Sequence, residues 1–249
     1  MRNTPIFTAT NAIVIACIII YFALEQIFGQ NHSGFELFFF ENPDFKPFQL
    51  VSHMFLHGDP THLFFNMFGL WMFGNTLERT WGSTKFVTFY FICGLGAAAI
   101  YLGVNYFQFQ STIAPLLEAG FSIDEMKTVF ANSQYYSQFP DSQEATLIFK
   151  SPVVGASGAL YGVLVAFAFL FPNHKIMLIF LPVPIAAKFF VPALLCLDIF
   201  SGFTGISIFG KNIAHAAHVG GAVTAIILLL TVMKNKRNTV NDSYGVWRK

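Results

Sequence analysis

Residues 153–171 read VVGASGALYGVLVAFAFLF, an apolar run of membrane grade that opens on a serine set among glycines. Glycine costs a helix about 1 kcal/mol relative to alanine, and lipid gives a hydroxyl no partner. Gly155, Gly158 and Gly162 around Ser157 therefore call for a reason beyond lipid solubility. The rest of the chain has the same character. Of its 249 residues 55% are hydrophobic and 11% charged, against about 25% charged in soluble domains, and the mean hydropathy is +0.58. Lys and Arg are scattered, with no basic stripe, and the net charge is only +1, which argues against a nucleic-acid partner. Cys17, Cys93 and Cys196 each fall inside an apolar run and are odd in number. They read as small core residues, not as a disulfide framework or a metal site.

A transmembrane helix takes about 20 apolar residues. Six runs approach that length, at about 11–28, 61–77, 86–106, 154–171, 176–199 and 212–233. The expected fold is all-α: a six-helix polytopic membrane protein with one membrane domain over 1–233. Residues 107–150 form an extracytoplasmic insertion between spans three and four, and 234–249 a polar, disordered cytoplasmic tail. The first run is preceded only by Arg2 and followed by no small-residue cleavage site, so it is not read as a signal peptide. With the N-terminus in the cytoplasm, nine Lys and Arg lie on that side and four outside, which favours this orientation.

That topology puts the starts of spans two, four and six at the outer face. His62, Asn66, Ser157 and His218 all lie near those starts, so they share a layer roughly 5–10 Å deep. Polar groups inside a span are functional candidates by default. Asp59-Pro60 makes a helix start, and His62 and Asn66, four apart, share a face; they read equally as interhelical hydrogen-bond glue. His53 and His57 precede the Gly58–Pro60 break. A metal site is weighed for these histidines, but no HExxH occurs and no carboxylate or cysteine completes a ligand set. His32 and His174 read as solvated loop residues.

Gly158 and Gly162 form a GxxxG pair, with Gly221 and Ala225 as its counterpart in span six. Such pairs serve plain helix packing, yet here they flank a serine on one helix and a histidine on the other. Close approach brings Ser157 Oγ within about 3 Å of a His218 ring nitrogen, the reach of nucleophile and base. Tyr161, one turn on, is placed to pack under the imidazole. No Asp or Glu is expected at this layer, so a Ser–His dyad is expected without a third member. Asn66, His62 and the Ser157 N–H are the candidate donors to a developing oxyanion.

VVGASGALYG, IAHAAHVGG and HMFLHGDPTHLFFN, in this order and spacing, resemble the rhomboid intramembrane serine proteases over about residues 45–233. The resemblance implies Ser157 as nucleophile in GASG, and His218 as base in the pattern made by Ala214, His215, His218 and Gly221. His53, His57, His62 and Asn66 match a third family pattern, which implies His62 and Asn66 as oxyanion residues; His53 and His57 are candidates for lining a water path. Gly74, Glu78 and Gly82 match a structural motif in which Glu78 holds loop backbone at the cytoplasmic interface. Where the family often carries Trp-Arg, this chain has Phe48-Gln49.

In the insertion, SIDEMKTVF carries a Ser–x–x–Glu cap and apolar residues at Ile123, Met126, Val129 and Phe130. It is expected to form an amphipathic helix, either on the outer leaflet or as a cover. The implied activity is endopeptidase cleavage in or beside the transmembrane segments of single-span membrane proteins, with no cofactor, in a bacterial plasma membrane. The alternatives are a non-catalytic member of the same fold that binds transmembrane helices, and a channel or transporter. A channel predicts polar residues along a pore, and only Lys188 and Asp198, both in span five and without an obvious partner, approach that description.

Overall fold

The computed structural model describes residues 8–28, 34–178, 181–204 and 214–233; His32 and the tail at 234–249 lie outside them. The chain is mostly α-helical. Helix α1 (Ala9–Phe28) is followed by a loop that ends in the one-turn helix α2 (Gln49–Ser52). Helix α3 (Pro60–Gly69) begins where expected: Asp59 accepts from the His62 N–H (2.9 Å) and Pro60 occupies the first turn. A π turn at Leu70–Gly74 joins it to α4 (Asn75–Trp81). Then come α5 (Ser83–Glu118), α6 (Ile123–Ala131), α7 (Ser142–Lys150) and α8 (Ser157–Leu170). The strands β1 (Lys175–Leu178) and β2 (Leu181–Ala186) form a hairpin before α9 (Ala187–Thr204) and α10 (His215–Leu228). Among the described residues, α1 and α5 are long and apolar enough to cross a membrane. The apolar helices at Ser157–Leu170 and His215–Thr231 are shorter.

Two boundaries differ from the sequence reading. The fifth run does not begin as a helix at 176, because Lys175–Leu178 pairs antiparallel with Leu181–Ala186, Ile176 opposite Ile185. Pro182 and Pro184 supply no N–H and push the residues before them toward extended backbone, so the helix waits until Ala187. The third run does not stop at 106 either. Helix α5 has 36 residues, about 54 Å at 1.5 Å per residue, against a hydrocarbon core of about 30 Å. Its C-terminal part therefore belongs to the insertion. There Phe109, Ile113 and Leu116 meet Met126 and Phe130 of α6, Phe149 of α7, and Leu37 and Phe39 of the first loop in a second apolar core. The Ser122 hydroxyl caps α6 by accepting from the Glu125 N–H (3.2 Å). Met126 and Phe130 of this helix are buried against protein, while Ile123 is exposed.

The first loop is knitted by Gln49, which is fully buried. Its Nε2 donates to the carbonyls of Gly34 (3.0 Å) and Asp44 (2.9 Å), and its Oε1 accepts from the Lys46 N–H (3.1 Å). A glutamine does this better than a cation, since it both donates and accepts. Lys188, without a partner in the sequence reading, donates to Asn173 Oδ1 (2.9 Å).

Glu78 does more than hold a loop. Its carboxylate accepts from the N–H groups of Ala9 (2.7 Å) and Thr10 (2.8 Å), the Thr10 hydroxyl (2.6 Å) and the Ser83 hydroxyl (2.7 Å), and so caps the start of α1. A hydrogen bond to a charged acceptor contributes about 1.5–3 kcal/mol. Glu78→Ala is therefore expected to lose at least about 3 kcal/mol of stability, read as a large fall in thermal midpoint in detergent. An unchanged midpoint would contradict the capping role.

At the centre, α5, α8 and α10 pack against one another through small residues. A methyl group added at Gly158 would stand 2.5 Å from the Ala97 Cβ, and one at Gly162 would stand 2.6 Å from Cys93. One at Gly221 would stand 1.8 Å from the Gly158 carbonyl oxygen. The Gly221 contact is with backbone, and the other two are with the small side chains of Ala97 and Cys93. The glycines of the opening stretch are thus explained by the helices that touch them.

Candidate active site

Ser157 is the first residue of α8, so its N–H and that of Gly158 lie in the first turn, without intrahelical acceptors and at the positive end of the helix dipole. The chain enters through Gly155, whose φ of +126° only glycine adopts freely. Gly155 donates its N–H to the His53 carbonyl (2.9 Å), while Val153 pairs with Leu37 in both directions (2.9 and 3.0 Å). The first loop thereby fixes the approach to the serine.

His218 lies one turn into α10, and its Nε2 stands 2.8 Å from Ser157 Oγ. The Gly158–Gly221 contact sets the two helix axes close enough for this to happen. The Tyr161 ring stacks on the His218 imidazole, centroids 4.2 Å apart and planes 9° from parallel. Ser157, His218, Tyr161, Gly155, Gly158 and Gly221 are therefore brought together in one place.

His62 belongs to the same place. A methyl group at Gly155 would lie 2.9 Å from His62 Cε1 and Nε2 and 3.6 Å from Ser157 Oγ, so the imidazole edge lies over Gly155 beside the hydroxyl. Asn66 is buried one turn below, and its Nδ2 donates to the His62 carbonyl (3.1 Å), within its own helix. His53 Nδ1 donates to the Gln49 carbonyl (2.8 Å). Together with Tyr101, Gly155 and Ser157, His53 lines a cavity of about 20 Å³, room for a single water. The His57 ring packs edge-on against His62, 5.1 Å between centroids. Its two nitrogens are buried and bond to no protein group among the described residues.

The expectation that no carboxylate reaches this layer is wrong. Asp198 of α9, 1% exposed, places Oδ1 2.6 Å from His215 Nδ1 and 3.0 Å from His218 Nδ1. Its Oδ2 accepts from the Tyr161 hydroxyl. The signal was present in the expected span directions: a fifth span running from inside to outside would end at the outer face, and Asp198 lies near the C-terminal end of α9. Counted from Thr204, it sits six residues, about 9 Å, below the end of α9. Asp198, His215 and His218 each offer one ligand atom within 4.8 Å of the others, a group that could hold a metal ion.

The arrangement offers a hydroxyl in contact with an imidazole at the start of a helix, with two N–H groups and a second imidazole alongside. These are the parts of nucleophilic attack on a carbonyl and of stabilising the oxyanion that results.

A family model described as the Rhomboid domain matches residues 44–235. Rhomboid protein 1, mitochondrial, of Saccharomyces cerevisiae is 27% identical over 178 residues, 72% of this chain and 40% of that protein. RHOMBOID-like protein 12, mitochondrial, of Arabidopsis thaliana is 27% identical over 187 residues, 75% of this chain and 47% of that protein. The chain thus spans less than half the length of these curated relatives. Both are named as mitochondrial proteins, so they give no support to a bacterial plasma membrane.

Proposed function

The chain belongs to the rhomboid family, and from that premise we propose that it is an intramembrane serine endopeptidase. It hydrolyses peptide bonds in or near the transmembrane segments of membrane proteins, and single-span proteins are its substrate class. The observation that carries this reading is the 2.8 Å contact between Ser157 Oγ and His218 Nε2. The rhomboid family is membrane-embedded, and we assign this chain six crossings, with the site facing the outer side and no cofactor.

Ser157 Oγ attacks the scissile carbonyl carbon as His218 Nε2 takes its proton, and the carbonyl π pair moves onto oxygen. The oxyanion is stabilised by the Ser157 N–H, His62 and Asn66, helped by the α8 dipole. The tetrahedral intermediate collapses, the C–N bond breaks, and His218 returns the proton to the leaving amine. A water then attacks the acyl-serine; His218 takes its proton and gives it back to Oγ. His53 and His57 line the route by which that water arrives. A methyl group at 155 or 158 would strike His62 or Ala97, so the glycines keep this space open.

A fluorophosphonate probe reacts only with an activated serine, and it is expected to label the wild type and not Ser157→Ala in membranes. Labelling that persists in Ser157→Ala overturns the assignment. Cleavage that survives Ser157→Ala but is lost to a chelator replaces it with metal chemistry at Asp198, His215 and His218.

A further inference from the structure

We propose that Asp198 is a positioning residue for the reaction, a third member that turns the Ser157–His218 pair into a triad, with His215 and Tyr161 holding its carboxylate in place. It rests on the protease reading above. An ionised carboxylate only accepts hydrogen bonds. Its Oδ1 lies 3.0 Å from His218 Nδ1, so that nitrogen carries the proton. His218 is thereby fixed as the Nδ1–H tautomer, and Nε2, 2.8 Å from Ser157 Oγ, is left as the acceptor that a general base must present. Among the described residues no other group is hydrogen-bonded to His218 Nδ1, and a free imidazole populates both tautomers; the Nε2–H form donates to Oγ and has no lone pair for its proton.

The surroundings suit a permanent charge. His215 Nδ1 reaches the same oxygen at 2.6 Å, and the Tyr161 hydroxyl donates to Oδ2. Three donors from two helices thus solvate a group that is 1% exposed, which satisfies the rule that buried charges are hydrogen-bonded. Tyr161 acts twice, since the ring that stacks on His218 belongs to the residue whose hydroxyl holds Asp198. The imidazole is gripped through its face and through its edge. Asp198 takes no proton during the cycle; it orients His218 and faces the imidazolium that forms when Oγ gives up its proton.

The same three groups invite a metal, but their spacing argues for protons. Ligand atoms about 2.0–2.1 Å from a tetrahedral zinc stand roughly 3.3 Å apart, whereas His215 Nδ1 and Asp198 Oδ1 are 2.6 Å apart.

The test is Asp198→Asn, which keeps shape and polarity and removes the charge, in purified full-length protein with a transmembrane substrate. Removing the carboxylate charge from a Ser–His–Asp triad costs about 10⁴ in kcat. Here kcat is expected to fall at least about 10²-fold with KM within about twofold of wild type and the thermal midpoint retained. In ¹⁵N spectra, wild-type His218 is expected as the Nδ1–H tautomer and Asp198→Asn as a mixture. A purely structural role would lower the midpoint and the folded fraction but leave kcat per folded molecule and the tautomer unmoved. Wild-type kcat in folded Asp198→Asn, or His218 found as Nε2–H in the wild type, overturns the proposal while leaving the protease reading standing. A wild type that neither cleaves nor reacts with the fluorophosphonate sinks the protease reading itself, and the triad with it.

Discussion

His218→Ala is expected to abolish peptide hydrolysis, a loss of about 10⁴-fold or more in kcat, in protein that remains folded. Serine hydroxyls barely ionise at neutral pH, so attack depends on the base 2.8 Å away. General acid–base catalysis alone contributes about 10²–10⁴-fold, and in the proposed mechanism this histidine serves attack, leaving-group departure and deacylation in turn. The expectation for the pair is sharper than for either residue. Members of such a unit are grossly non-additive, so Ser157→Ala/His218→Ala should cleave no more slowly than either single variant. The His218 side chain is only partly buried, and its stability contribution comes from the Tyr161 stack and the Asp198 bond. The thermal midpoint is therefore expected to fall modestly. The measurement is cleavage of a single-span substrate in detergent, with fluorophosphonate labelling alongside. Cleavage in folded His218→Ala within tenfold of wild type would remove the histidine from the mechanism.

What could be read from the sequence was whatever depends on residue type at short spacing. Asp59-Pro60 announced the start of α3 because a capping carboxylate and an N1 proline are local effects. Ser122 and Glu125 announced α6 in the same way. The meeting of Ser157 with His218 was also legible, although the residues are 61 apart in sequence. It followed from helix direction, which sets depth, and from Gly158 and Gly221, which set distance. Asp198 escapes a reading of the sequence for a specific reason. The serine and the histidine sit at helix starts, and the carboxylate sits near a helix end, so a search along starts alone passes over it. The fifth run was mislaid because hydropathy counts Pro182 and Pro184 as tolerable, whereas the backbone does not. The length of α5 is hidden by polar residues such as Gln108, which bonds to Glu144 of α7, and Thr112, which is buried and donates to the Phe109 carbonyl of its own helix. Tertiary partners, and not propensity, decide such segments.

Gly221→Ala is expected to damage activity more than its size suggests, and for a geometric reason. The added Cβ would stand 1.8 Å from the Gly158 carbonyl oxygen and 2.7 Å from the Gly158 carbonyl carbon. Both obstacles are backbone, so no side chain can rotate away; α8 and α10 must separate by more than about 1 Å to restore van der Waals distance. Overpacking of this kind costs about 1–3 kcal/mol, enough to lower the thermal midpoint without unfolding the protein. The catalytic cost is larger, because the same two helices carry Ser157 and His218. A misplacement of about 1 Å costs roughly 10²-fold in rate, so kcat should fall by about that factor or more, and further in Gly221→Val. Gly103→Ala is the matched control. Gly103 lies within α5 with nothing within 4 Å of its would-be Cβ, and alanine there is expected to raise helix stability by up to about 1 kcal/mol with kcat unchanged. Cleavage by Gly221→Ala at the wild-type rate would mean that the backbone contact does not set the distance between nucleophile and base. The triad geometry would then depend on the grip of Asp198 and Tyr161 on the imidazole alone.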